Sequence, residues 1–145
     1  LFESVQADLA RTTGRLEYLG ERTDLAAVNK LLGNAMIIGT WAVLADVLTL
    51  ARACGVEGAD AVKLLGFIDM NAMMARRAPS MAARDFTPSF ELAMARKDVR
   101  LMQEAIGTRP LAALPSIAAR MDALIAEGHG ARDAGVLAID AARRT

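Results

Sequence analysis

The sequence predicts an all-α protein, a helical bundle around one long central helix. Aromatic residues make up only 4% of the chain, alanine is abundant and there are 8 methionines, a composition that favours helices over strands. Residues 25–54 keep a mostly apolar, helical composition until Gly55, a residue type that often follows the end of a helix. Such a helix would be about 45 Å long, and we expect the rest of the protein to bury it on nearly all sides.

Composition and charge exclude several classes of function. With 145 residues, 54% of them hydrophobic, the chain is large enough for one domain with a core of its own. Basic and acidic residues both number 17, so no net charge attracts nucleic acid or an anionic membrane. The single cysteine, Cys54, rules out an internal disulfide and a cysteine-rich metal site. We therefore predict no metal and a cytoplasmic protein.

The apolar stretch at residues 31–50 approaches the length of a membrane span, which is about 20 residues. Two polar residues, Asn34 and Asp46, interrupt it, and such residues are costly in the middle of a bilayer. The favoured interpretation is a helix inside a protein, with no membrane as partner.

The first 24 residues differ in pattern from the rest. Residues 4–13 have helical composition and stop at Gly14, and residues 15–19 alternate polar and apolar side chains as a strand does. A single strand is unstable without a sheet. We therefore predict that residues 1–24 are the end of a separate domain and that residues 25–145 form the helical domain.

The remaining helices are expected where breaker residues bound the helical stretches. Gly66 and Pro79 act as breakers, so residues 79–89 are predicted to be a loop. Thr87 and Pro88 fit the cap and first position of a helix. The expected helices are residues 59–65, 71–77, 88–106, one opened by Pro110 or Pro115 that stops at Gly128, and a last one ending near Arg144.

Lys30 and Asn34 are the first residues with possible chemistry. They are four apart in a predicted helix, so their side chains lie on one face and can share a ligand. Such a pair usually lies on a solvated surface. The apolar run that follows Lys30 instead predicts a partly desolvated lysine. Arg76 and Arg77 are expected on a solvated face.

Two motifs resemble those of the β-hydroxyacid dehydrogenases, the family that includes 3-hydroxyisobutyrate dehydrogenase within a superfamily shared with 6-phosphogluconate dehydrogenase. NKLLGN at residues 29–34 is similar to the family's K-x-x-x-N signature, and DFTPSFELAMARKD at residues 85–98 is similar to its segment ending in Lys-Asp. Asp46 stands where the family usually has Glu. The resemblance covers the whole chain. It implies that residues 1–24 are the last helix and strand of a Rossmann domain.

The resemblance also implies roles for individual residues. The lysine matching Lys30 is the general acid/base, and Asn34 hydrogen-bonds the substrate. Lys97 is expected beside the cofactor, NAD or NADP, and Asp98 orients a lysine or ties down its helix. Phe90 matches an aromatic residue beside the nicotinamide or substrate, although a place in the core is equally expected. A lysine accepts a proton near neutral pH only when its pKa is lowered, as burial and a second nearby cation both do.

The resemblance therefore implies an NAD(P)-dependent oxidoreductase that acts on a small 3-hydroxy acid or a related semialdehyde. We also expect a homodimer or tetramer through the helical domain, because the long apolar helix needs more cover than the short helices provide. The sequence contains no G-x-G-x-x-G motif, so we expect this chain alone to be inactive. Two alternatives stay open. One is an imine reductase-like domain, which usually has another residue in place of Lys30. The other is a non-catalytic helical oligomerisation module, whose relatives often lose the lysine.

Overall fold

The fold was analysed in a computed structural model, which describes residues 2–14 and 16–141. The described residues form six α-helices and contain no β-strand, so the predicted all-α class is confirmed. The chain divides into two compact units, Leu1–Gly39 and Thr40–Thr145.

The first unit begins with α1 (Phe2–Ala10). This helix ends earlier than predicted, and the hydroxyls of Thr12 and Thr13 both donate to the Leu9 carbonyl. The predicted strand at residues 15–19 is wrong where it is described, because residues 16–19 form no strand; residue 15 lies outside the described residues. Contact between the rings of Phe2 and Tyr18, whose centroids are 5.0 Å apart, packs this segment against α1.

The predicted long helix is confirmed as α2 (Leu25–Ala53, 29 residues). It ends at a turn in which the Val56 N–H donates to the Ala51 carbonyl at 2.8 Å. Gly55 lies between them with a φ of 75°, in the left-handed region that a side chain disfavours. The glycine therefore ends the helix for the reason expected from the sequence.

The predicted burial of α2 is wrong for the described chain. Asp46 is its only fully buried residue, and large apolar side chains such as Leu31 (68%), Ile38 (60%) and Trp41 (64%) are exposed. By length and composition alone, α2 is also apolar enough to cross a membrane. This surface is unfavourable in water and bears on the oligomeric state proposed below.

The second unit also contains α3 (Gly58–Leu65) and α4 (Met70–Ala83). The predicted end of α4 at Pro79 is wrong, because the helix continues through this residue. A proline inside a helix removes one hydrogen bond and its ring crowds the preceding turn, but α4 accommodates Pro79 one turn before its end. The helix ends at Arg84, which takes the left-handed conformation with φ 58°, so the predicted loop is shorter than expected.

The core of the second unit lies between α5 (Leu92–Ile106) and α6 (Leu114–Leu124). The predicted start of α5 at Thr87 and Pro88 is wrong, because both residues lie in the preceding loop. Pro115, near the start of α6, confirms the second of the two predicted helix openings. The buried cluster consists of Phe86, Leu92, Ala95, Val99, Ala118, Met121, Leu124, Val136 and Ile139.

The segment after α6 does not form the predicted last helix. It consists of a π-helical turn (Ile125–His129) and a 3-10 helix (Ala134–Ala138), and residues 142–145 lie outside the described residues. Between these turns, backbone hydrogen bonds join the segment to the start of α5. The Leu92 N–H donates to the Arg132 carbonyl at 2.8 Å, and the Ala134 N–H donates to the Phe90 carbonyl at 2.8 Å.

Asp46, which the sequence marks only as an interruption of the apolar helix, ties α2 to the start of α6. Its carboxylate is 1% exposed and accepts hydrogen bonds from the N–H groups of Ala112 (2.6 Å), Ala113 (2.9 Å) and Leu114 (2.8 Å). Burial raises the pKa of Asp46, but these three bonds lower it by more, so the net pKa is below its ordinary value. The carboxylate acts as a distant helix cap.

Asp46→Ala is expected to lower the free energy of unfolding by about 2–3 kcal/mol, because it leaves three backbone donors at the start of α6 without their acceptor. Urea denaturation measures this change. Asp60→Ala is the matched control, since Asp60 is exposed and its one ion pair among the described residues is with exposed Lys63 at 3.0 Å; its expected cost is below about 0.5 kcal/mol. Equal losses in the two variants would contradict a capping role for Asp46.

Candidate functional site

Lys30 and Asn34 lie on α2 in the first unit, one turn apart and therefore on one face of the helix. Both side chains are exposed. Among residues 2–14 and 16–141, the Lys30 ammonium makes no ion pair. The partial desolvation expected for this lysine is not found in the chain by itself. The pair thus offers an amine and an amide to a ligand, free of competing partners in the part of the chain that is described.

Lys97 and Asp98 lie on α5 in the second unit. The Lys97 ammonium is 3.3 Å from the Asp98 carboxylate, and both side chains are about half exposed. The pairing agrees with the expectation that Asp98 orients a lysine, although the role of the pair near a cofactor stays a prediction. Because the pair is exposed, the electrostatic attraction between its members is weak and Lys97 remains available to an anion.

An exposed face of α5 combines this cation with apolar side chains. Met94, Lys97 and Leu101 follow one another at intervals of three and four residues, which places them on one side of the helix. Met94 and Leu101 are both exposed, and Phe90, just before the helix, is partly exposed too. We call these four residues the α5 face. The alternative expectation that Phe90 belongs to the core is wrong, since its ring is not buried.

The loop that carries Phe90 is held by a buried carboxylate, that of Asp133, which is 7% exposed. One oxygen accepts hydrogen bonds from the N–H (3.0 Å) and hydroxyl (2.9 Å) of Ser89 and from the Phe90 N–H (3.2 Å). The other accepts from the Gly135 N–H at 2.8 Å and from the Arg77 guanidinium at 2.5 Å. This one side chain therefore joins α4, the loop before α5 and the C-terminal 3-10 helix.

These bonds keep Asp133 ionised. Burial alone raises the pKa of a carboxyl group. Here the N–H groups of Gly135, Ser89 and Phe90 and the Ser89 hydroxyl outweigh the effect of burial and lower the pKa of Asp133 to about 2. The sequence analysis missed this residue. Apart from Gly135, its partners Arg77, Ser89 and Phe90 lie more than 40 residues away in the chain, and the sequence analysis had no signal for those contacts.

A cleft of about 400 Å³ opens beside this network, and we call it the α4 cleft. The sequence analysis placed Arg77, which lines the cleft, on a solvated face. Its side chain is instead only 29% exposed, because it forms an ion pair with Asp133. The cleft combines charged, hydroxyl-bearing and apolar side chains. They are Arg76, Arg77, Ser80, Met81, Asp85, Thr87, Ser89, Phe90 and Asp133.

The structure thus brings three of the five predicted site residues together on or beside α5, namely Phe90, Lys97 and Asp98, and the other two, Lys30 and Asn34, on α2. Within the described residues, no group of three or more His, Cys, Asp and Glu side chains is placed to hold a metal ion. The chemistry available from these side chains is proton transfer, hydrogen bonding and neutralisation of anionic groups.

Comparison with known proteins adds two findings. The family described as "NAD-binding of NADP-dependent 3-hydroxyisobutyrate dehydrogenase" matches residues 25–139. Among solved structures, an imine reductase from Pseudomonas sp. superposes with a TM-score of 0.80 at 19% sequence identity, over 95% of this chain and 50% of the reductase chain. The chain therefore spans about half the length of this structural relative. No curated protein sequence matches it.

Proposed function

Because the chain belongs to the family of NAD-binding domains of NADP-dependent 3-hydroxyisobutyrate dehydrogenase, its cofactor is NAD or NADP, and we propose that it serves an oxidoreductase of 3-hydroxy acids or the related semialdehydes. The family membership supports the general class, an NAD(P)-dependent dehydrogenase or reductase. The choice of an alcohol as substrate rests on one observation. Lys30 and Asn34 lie one turn apart on α2, exposed and without competing partners among the described residues.

In the proposed mechanism, Lys30 transfers a proton to and from the substrate, and Asn34 positions the substrate for that transfer. During oxidation the Lys30 amine accepts the proton of the substrate hydroxyl, a step that requires the bound substrate and cofactor to shield Lys30 from water; during reduction the Lys30 ammonium returns the proton to the carbonyl oxygen. The Asn34 amide hydrogen-bonds the substrate and holds the reacting oxygen near the amine. Neither residue has to break a bond with another described residue to do so.

The α5 face fits the nicotinamide end of the cofactor. Apolar contact from Phe90 and Met94 suits a flat ring such as nicotinamide, and Lys97, only half exposed and weakly held by Asp98, can neutralise a phosphate. The bound nicotinamide supplies hydride transfer. The glycine-rich turn that usually holds the pyrophosphate has no counterpart in this sequence, so these residues would hold only part of the cofactor.

A substrate comparison in the full-length enzyme tests the proposal. Nicotinamide absorbance is followed with a series of 3-hydroxy acids, with the corresponding semialdehydes in reverse, and with cyclic imines. The proposal expects turnover of the first two. Preference for imines would favour the imine reductase alternative, which shares the fold, and no turnover of any of them would favour the non-catalytic module. The presence of Lys30 is what ranks the alcohol reaction first.

We also propose that the chain forms a homodimer or tetramer through α2. The exposed apolar surface of this helix includes Ile38 (60%) and Trp41 (64%). A second copy of the chain would offer the same apolar surface and so cover both at once, which removes the cost of exposing it to water.

Sedimentation velocity at micromolar concentration is expected to show a dimer or tetramer for the wild type, and monomer for Trp41→Glu, because a buried unpaired charge opposes association. Thr108→Glu is the control, since Thr108 is an exposed loop residue outside α2, and it should leave the assembly intact. A wild-type protein that sediments only as a monomer would contradict the proposal.

A further inference from the structure

The α4 cleft contains two hydrogen-bond donors that the described structure does not use. Arg76 and Ser80 both line it and are four residues apart on α4, so their side chains are neighbours on one helix face. Within residues 2–14 and 16–141, the Arg76 guanidinium makes no ion pair and the Ser80 hydroxyl makes no hydrogen bond. A guanidinium beside a hydroxyl is a donor set that suits a carboxylate.

The other polar side chains of the cleft are already engaged. Arg77 is paired with Asp133 at 2.5 Å, and the Ser89 hydroxyl donates to the same carboxylate at 2.9 Å. The Thr87 hydroxyl and N–H both donate to one oxygen of Asp85, at 2.8 and 3.1 Å. Arg76 is therefore the one cation lining the cleft whose charge no described side chain balances.

The fixed negative charges limit which anion can enter. Asp85 and Asp133 are both ionised near neutral pH, because the hydrogen bonds that they accept hold the pKa of each below its ordinary value. One negative charge can be balanced at Arg76, but a second on the same ligand would face two carboxylates. Met81 and Phe90 supply apolar contact for a short carbon chain. The cleft thus favours a small monoanion over a dianion.

We propose that the α4 cleft binds a monocarboxylate, with the Arg76 guanidinium and the Ser80 hydroxyl as its donors. A phosphate monoester fits less well, since it carries close to two negative charges and Arg76 alone balances only one. Arg76 thus gives the cleft its preference for a carboxylate over a neutral ligand.

Binding can be tested without any turnover. The arginine side-chain and backbone amide signals of the protein are followed by NMR while sodium 3-hydroxybutyrate, its neutral amide or inorganic phosphate is added. The carboxylate should shift the signals of Arg76 and Ser80 saturably, and the other two should not. Arg76→Gln should weaken carboxylate binding about fivefold, which corresponds to the upper end of the energy of one exposed ion pair.

Arg52→Gln is the matched control, because Arg52 is exposed, lies at the end of α2 and does not line this cleft; its carboxylate affinity should equal that of the wild type. Phosphate binding tighter than that of 3-hydroxybutyrate would overturn the proposal. So would a carboxylate affinity that Arg76→Gln does not change while its spectrum shows a folded protein.

Discussion

Lys30→Ala in the full-length enzyme is expected to lower kcat by about 10²-fold or more, the contribution typical of a positioned general acid/base. The exposed Lys30 amine has no ion pair among the described residues. On this face of α2, no other side chain that can transfer a proton has an amide beside it, as Lys30 has in Asn34. Cofactor affinity should stay nearly unchanged, because Lys30 acts on the substrate oxygen. Steady-state kinetics and a cofactor titration measure the two effects.

Lys63→Ala is the matched control for this variant. Lys63 is also an exposed lysine on a helix, but it pairs with Asp60 at 3.0 Å and has no proposed role, so its kcat should be that of the wild type. A Lys30→Ala enzyme with nearly wild-type kcat across the pH range would remove the hydroxy-acid assignment. The imine reductase or non-catalytic alternative would then be preferred.

Variants at two further site residues, Asn34 and Lys97, distinguish orientation of the substrate from electrostatic binding of the cofactor. Asn34→Ala should cost less than Lys30→Ala, because it loses a positioning hydrogen bond and not the proton carrier. Lys97→Ala should weaken cofactor binding and lower kcat/KM for the cofactor while leaving kcat nearly unchanged, since a cation near a phosphate stabilises the ground state and the transition state alike. A Lys97→Ala enzyme with wild-type cofactor affinity would contradict the assignment of the α5 face to the nicotinamide end.

The sequence predicts α2 well because its determinants are local. A long run of helix-favouring residues begins at Leu25, and Gly55 supplies the left-handed turn after its end. The burial of the same helix is mispredicted because an apolar composition indicates that the helix surface is to be buried but does not show whether this chain or another molecule buries it. The α2 surface is exposed in the single chain, which is why the oligomeric state is a separate question.

The region from Pro79 to the start of α5 is mispredicted for the opposite reason, since its conformation depends on distant contacts. Thr87 and Pro88 have the residue types of a helix start, but Asp133 takes the N–H groups of Ser89 and Phe90 and holds the segment as a loop. Likewise, Asp46 looks like an interruption of an apolar helix until the start of α6 is seen beside it. A single sequence does not reveal partners so far apart in the chain.

Asp133→Ala is expected to lower the free energy of unfolding by about 3–5 kcal/mol, the usual cost of removing one member of a buried charged pair. The substitution leaves the Arg77 guanidinium and three backbone N–H groups without their acceptor. Asp133→Asn keeps an acceptor oxygen of similar shape and should lose less. Urea denaturation measures both, with exposed Asp60→Ala as the control; a loss no larger than in that control would contradict the role of Asp133.

The stability that Asp133 provides should also depend on pH, with a definite sign. Since the folded-state pKa of Asp133 is lowered from 3.8 to about 2, folding favours the ionised carboxylate. Its contribution is complete above the unfolded pKa and is lost as the pH falls from about 4 to 2, where protonation removes about 2 kcal/mol.

The pKa of Asp46 is lowered in the same direction, so the pH dependence of wild-type stability alone does not isolate Asp133. The difference in unfolding free energy between wild type and Asp133→Asn does, because only the wild type gains a proton at this position. That difference should shrink as the pH falls through this window, and a difference that stays constant from pH 5 to the acid limit of folding would show that Asp133 is not the ionised centre of the network.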